Sequence, residues 1–275
     1  MIELKNPKIA VPVVLFAGIL WSFGPLVVRH MDAPNQVPWQ YIFGRGLTIF
    51  IILNLYLYFE EGIKFWKNYL KIGSSGIIGG TGLGIAMISF IYSITNTTAA
   101  ITLLCLAAMP FFTALLAFIF LKEQISVNVW ISIIIATVGI IIMAFGNNEE
   151  NSLVGFIFGI TSSVGFSVFS VTLRWRKETP KFTTVAFAGL FCFIFATIMI
   201  LIKDQAFFSS SYNSSLFSLH GTLVCTGLIL YSIGSKAIPA AELTLLSLTE
   251  VIGGIFWVWL PLFGINEVPD TNTVI

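Results

Sequence analysis

Nine stretches of this chain are apolar for long enough to cross a lipid bilayer, and what lies between them is too short to form a separate soluble domain. The runs cover about residues 9–28, 39–59, 72–94, 97–121, 126–145, 153–173, 182–202, 216–235 and 239–263. At 1.5 Å of rise per residue, roughly 20 helical residues match a ~30 Å hydrocarbon layer. Within lipid a lone segment satisfies its backbone polar groups only as a helix, so the runs predict an all-α, polytopic transmembrane bundle. The first run begins near the N-terminus after Lys5 and Lys8, but it is long and no small-residue cleavage pattern follows it. It is therefore expected to be a retained span and not a cleaved leader.

Composition excludes several function classes. Only 10% of residues are charged, against about 25% in soluble domains. A net charge of +1 provides no basic surface for nucleic acid. Cys105, Cys192 and Cys225 all lie in apolar runs without CxxC spacing and are expected to be buried thiols. His30 in a loop and His220 at a span edge are too few and too scattered for a metal site. No metal and no cofactor is expected, and no clustered nucleophile or acid–base pair points to an enzyme.

Basic residues orient the spans. With the N-terminus cytoplasmic, the inner segments hold Lys5, Lys8, Lys64, Lys67, Lys71, Lys122, Arg174, Arg176, Lys177, Lys181 and Lys236, while the outer segments hold Arg29 and Lys203. That asymmetry is the positive-inside pattern. The acidic segment 147–151 is then outside.

The chain also repeats itself. A shift of 141 residues brings Gly18 onto Gly159, Ser22 onto Ser163, Gly24 onto Gly165 and Gly80 onto Gly221, and brings Ala99-Ala100 onto Ala240-Ala241 and Met109 onto Glu250. Beyond that point the offset becomes 144, pairing Glu123 with Glu267. A first unit over 9–145 has five spans, an odd number, so a second unit over 153–275 must start on the opposite side of the membrane. Inverted repeats of this kind are typical of secondary transporters, with the site near the midplane where the halves meet. The second unit has four spans before Val268, so a tenth span is expected to be missing from its C-terminal end.

Individual residues mark the candidate site. Pro239–Glu267 is expected to form one apolar helix with Glu250 roughly 16 Å along it, near mid-bilayer. An ionisable group at that depth costs a few kcal/mol unless it faces protein or water. Spacing of three and four residues puts Leu246, Ser247, Gly253, Gly254 and Trp257 on the face of Glu250. Prolines 25, 110 and 261 free the carbonyls of Trp21, Leu106 and Trp257, either as packing kinks or as groups facing a substrate. Trp21 and Ser22 beside the Gly24-Pro25 break are the stronger candidates. Arg45, about 9 Å inside the second span, is expected to snorkel to the outer headgroups, with an inward path as the alternative. Gly76, Gly80 and Gly84 make a small-residue face for close helix packing. Glu242 is assigned to the first turn of its helix.

The segment Ala107–Glu123, AAMPFFTALLAFIFLKE, resembles the signature of the EamA family of the drug/metabolite transporter superfamily. Its paired copy, Thr249–Glu267, keeps Glu250 and the closing Glu267, has Val251 in place of the proline and carries three further residues. The resemblance implies ten spans, cytoplasmic termini in a bacterial inner membrane, a central cavity between two five-span halves, and export of amino acids, amines or related metabolites. The expected substrate-binding residues are Trp21, Ser22, Arg45, Ser247, Glu250 and Trp257. Glu250 would neutralise an amine or carry a coupling proton, and a homodimer is compatible with this picture. A non-transporting scaffold or sensor and a membrane-embedded transferase are the competing functions.

Overall fold

The computed structural model describes residue 4 and residues 6–144, 153–176, 178–265 and 267. The acidic segment 147–151 and residues 268–275, where the second unit would break off, lie outside them. Among the described residues all regular structure is helical, and eight helical segments are long and apolar enough to span a membrane. The protein is an integral, multi-pass membrane protein.

In chain order the helices are α1 (Pro7–Arg29), α2 (Pro38–Glu61), the short α3 (Lys67–Leu70), α4 (Gly73–Asn96), α5 (Ala99–Leu106), α6 (Met109–Leu116), α7 (Val127–Ala144), α8 (Leu153–Trp175), α9 (Lys181–Ile202), α10 (Ser211–Gly234), α11 (Ala240–Ser247) and α12 (Thr249–Trp259). Local chemistry sets several ends. Asn6, Thr98 and Ser210 cap α1, α5 and α10 by accepting the N–H groups of Lys8, Ile101 and Asn213. Pro38 opens α2, and Gly62 closes it at φ 64°.

Two spans are broken among the described residues. The fourth divides at Ala107–Ala108, where Pro110, in the first turn of α6, cannot donate an N–H. Ser163 and Ser167, one turn apart on α8, donate to the carbonyls of Cys105 and Met109 on either side of this break. The stretch expected to be one helix around Glu250 divides as well, at Leu248, without a proline. There the hydroxyls of Thr244, Ser247 and Thr249 each donate to a carbonyl one turn back in their own span. Such back-bonding competes with the helix ladder and bends it. Pro261 lies beyond α12, in a 3-10 turn after the span has ended, and so kinks nothing.

The helices pack in matching pairs. α4 lies along α8 as α10 lies along α1, and α9 contacts α4 as α2 contacts α10. α5 and α6 contact α8 as α11 and α12 contact α1, while α2 crosses α9 and the two broken spans meet each other. Glycines permit the closest crossings. A Cβ on Gly165 would lie 2.6 Å from the Gly82 carbonyl oxygen, and one on Gly46 would lie 2.9 Å from that of Gly189. The Gly76–Gly80–Gly84 face meets Thr184, Phe187 and Phe191 of α9. Outward faces carry Phe16, Ile51, Leu55 and Ile198, all exposed, as a lipid-facing surface requires.

Candidate functional site

A cavity opens among α1, α2, α4, α8, α10 and the two broken spans. Its wall is mostly apolar, with Met87 and Phe90 from α4, Leu106 and Met109 from the first break, and Phe166 from α8. Against that wall stand Trp21, Arg45, His220 and Glu250. Trp21 is fixed by donating its indole N–H to the Val224 carbonyl (3.2 Å) and by an edge contact with Phe166 at 5.6 Å.

The break at Leu248 changes the setting of Glu250. The carboxylate belongs to the first turn of α12, directly after the bend at Leu248, whose carbonyl accepts the N–H groups of Val251 and Ile252. Its side chain has no hydrogen-bond or ion-pair partner among the described residues.

Arg45 turns inward, contrary to the snorkelling expected of it. The side chain is 2% exposed. One Nη donates to the Met87 carbonyl (2.6 Å), the guanidinium lies 5.8 Å from the Tyr41 ring centroid, and its buried Nε has no acceptor among the described residues. A carbonyl and an aromatic face inside the protein draw the guanidinium away from the headgroups. Arg45 and Glu250 border the same cavity without forming an ion pair with each other.

His220 is also placed differently from the span edge expected for it. It lies nine residues into α10, 2% exposed, and shares a hydrogen bond between its Nδ1 and the Tyr41 hydroxyl. Gly24 leaves room for the imidazole, since a Cβ there would lie 2.7 Å from Nε2. Tyr41 stacks on Phe217 (5.0 Å between centroids) and completes the group. His220 could have been flagged as Glu250 was, as a titratable side chain inside an apolar run.

The remaining expected site residues do not line this cavity. Trp257 donates to the Ser22 hydroxyl (2.9 Å), which itself donates to the Ile19 carbonyl (2.6 Å), and the Trp257 ring stacks on Phe23 at 4.9 Å. Ser247 is fully buried and donates to its own helix. The structure thus brings Trp21, Arg45 and Glu250 together, sets Ser22 and Trp257 beside them as a bonded pair, and leaves Ser247 in the helix packing.

Two arginine–glutamate clamps went unnoticed in the sequence. Arg29, at the end of α1, pairs with Glu267 (2.7 Å) and donates to the carbonyls of Ile94 and Thr97. Glu267 in turn accepts the N–H of Ala99, the first residue of α5 (2.7 Å). Arg174, near the end of α8, pairs with Glu123 (2.6 Å) and donates to the carbonyls of Ser235 and Ile238. Glu123 accepts the N–H of Ala240, the first residue of α11 (3.2 Å). Ala99 and Glu123 bound the same broken span, so the clamps sit at opposite ends of the bundle. The pairing of Glu123 with Glu267 in the repeat was the available signal.

Comparison with known proteins agrees with this architecture. The model of the EamA-like transporter family matches residues 8–145. A protein of Helicobacter pylori strain J99, named only as an uncharacterized transporter, is 24% identical over 259 residues, covering 90% of this chain and 84% of its own. Its counterpart in H. pylori strain 26695 bears the same name and matches to the same extent. A solved crystal structure superposes with a TM-score of 0.73 at 16% identity, covering 97% of this chain and 92% of that one, which speaks for the fold alone.

Proposed function

The chain belongs to the EamA-like transporter family, and from its cavity we propose that it is a secondary carrier of small zwitterionic metabolites, of the amino-acid class, working by alternating access. One observation carries the reading: a guanidinium and a carboxylate border one apolar cavity, close enough to attract each other but without a direct ion pair. Each would be costly so deep in a membrane protein unless something else met it. A ligand bearing both charges meets both, its carboxylate at Arg45 and its ammonium at Glu250, while the aromatic wall around Trp21 takes an apolar side chain. Membership of a transporter family speaks against an enzyme.

The matched helix contacts and the two clamps support a bundle of two inverted units, 9–145 and 153 onward, that exchange helices to form two bodies rocking about the cavity. Each clamp joins α4, α5, α6 or α8 to α1, α10, α11 or α12, and both are closed in this structure. The reading places the N-terminus in the cytoplasm of a bacterial cell, the Arg29 clamp outside and the Arg174 clamp inside. Export, with Glu250 also able to carry a coupling proton, completes the proposal.

The test is a thermal-stabilisation screen of the purified chain against zwitterionic amino acids, the corresponding amines and the corresponding carboxylic acids. The zwitterions should stabilise it more than either half-charged analogue. Equal stabilisation by amines alone would remove Arg45 from the binding role, and stabilisation by none would remove the substrate class.

A further inference from the structure

A second concavity, separate from the cavity of Glu250, lies on the outer face of α4, α8 and α9. Trp39 and Lys203 border its rim, Tyr92 lies a turn below, and Ile85, Phe191 and Phe195 continue it inward. Trp39 is in the first turn of α2 and Lys203 directly follows α9, so the rim is at the helix ends. Ile85 and Phe191 each lie eleven residues from the end of their helix, Asn96 or Ile202. The groove therefore runs about 16 Å into the bundle, close to half of a ~30 Å hydrocarbon core and to the depth of one leaflet.

Its chemistry is graded along that length. The deep part is aliphatic and aromatic, with Phe191 and Phe195 stacked 6.1 Å apart. The rim offers donors: the Lys203 ammonium and the Tyr92 hydroxyl have no side-chain partners among the described residues, and the buried Trp39 Nε1–H finds no acceptor among them. No aspartate or glutamate lines the groove. We propose that it is a binding site for one anionic phospholipid, an acyl chain lying along Ile85 and Phe191 and the headgroup phosphate meeting Lys203 and Tyr92.

Native mass spectrometry of the full chain, released from nanodiscs of equal phosphatidylglycerol and phosphatidylcholine, tests this. The wild type should retain phosphatidylglycerol preferentially, and inorganic phosphate should not displace it. Lys203→Ala, at an exposed position, should lower that retention about fivefold, the worth of one lysine near an anionic headgroup, and leave phosphatidylcholine unchanged. Ile88→Trp, filling the groove, should lower retention of both lipids. Equal retention of the two lipids by the wild type, or an unchanged Lys203→Ala variant, overturns the proposal. Disulfide cross-linking of two copies through Phe195→Cys would also overturn it, by assigning the face to a dimer.

Discussion

Glu123 repeats at one end of the bundle the bonds that Glu267 makes at the other. Each carboxylate accepts from an arginine that ends or nearly ends a helix and from the first backbone N–H of a broken span. The carbonyls that share those arginines, Ile94 with Thr97 and Ser235 with Ile238, stand 141 residues apart in pairs. The helix-opening alanines keep the same offset, while the glutamates stand 144 and the arginines 145 apart, so the sequence repeat maps onto two physical latches.

Glu267→Gln should loosen only the clamp at the α5 entrance, and Glu123→Gln only the one at the α11 entrance. Each removes a part-buried, charge-assisted pair, so access from the affected end should rise about tenfold. Alkylation of a cavity cysteine from either side of oriented vesicles would measure it. A rise from the same side in both variants would contradict the pairing of latches with opposite faces.

Replacing Glu250 with Gln keeps the shape of a side chain that makes no hydrogen bond or ion pair among the described residues. Insertion and thermal stability should stay near wild type, while ligand affinity should fall about 10- to 100-fold, the worth of a charged hydrogen bond. Any pH dependence of transport carried by this residue should vanish with it. Titration calorimetry alongside uptake at two pH values separates the two effects.

Arg45→Lys should behave as a severe change although charge is kept. A lysine cannot reproduce the planar guanidinium that donates to the Met87 carbonyl and lies over Tyr41. Binding of a zwitterion should weaken about tenfold or more, while the matching amine should be less affected. Equal losses for both ligands would indicate collapse of the wall and not loss of a carboxylate contact.

Gly165→Ala probes the packing of α4 on α8. The added methyl meets the Gly82 carbonyl oxygen at 2.6 Å and the Ala86 nitrogen at 3.0 Å. Backbone cannot swing aside as a side chain can, so a loss of about 1–3 kcal/mol is expected, read as a lower melting temperature.

The bundle was legible because apolar run length leaves a membrane chain few choices. The packing role of the Gly76–Gly80–Gly84 face followed from spacing in the same way. What the sequence concealed depended on direction and not on position. The site face was derived from an unbroken helix through Glu250, and the turn at Leu248 re-aims it, leaving Ser247 behind. No proline announced that turn, and its signal was the run of hydroxyls Thr244, Ser247 and Thr249. Arg45 could reach equally far outward or inward, and only the Met87 carbonyl and Tyr41 ring decide between them. The serine-rich start of α10 blurred a span boundary and hid how deep His220 lies.

Two-sided accessibility of the cavity tests the central claim most directly. Met87→Cys, in a chain whose three native cysteines are replaced, exposes a thiol on the cavity wall without altering the carbonyl that holds Arg45. A carrier predicts reaction with a membrane-impermeant maleimide from either face of oriented proteoliposomes, slowed from both by a zwitterionic substrate. Reaction from one face only, unchanged by any ligand, would contradict alternating access.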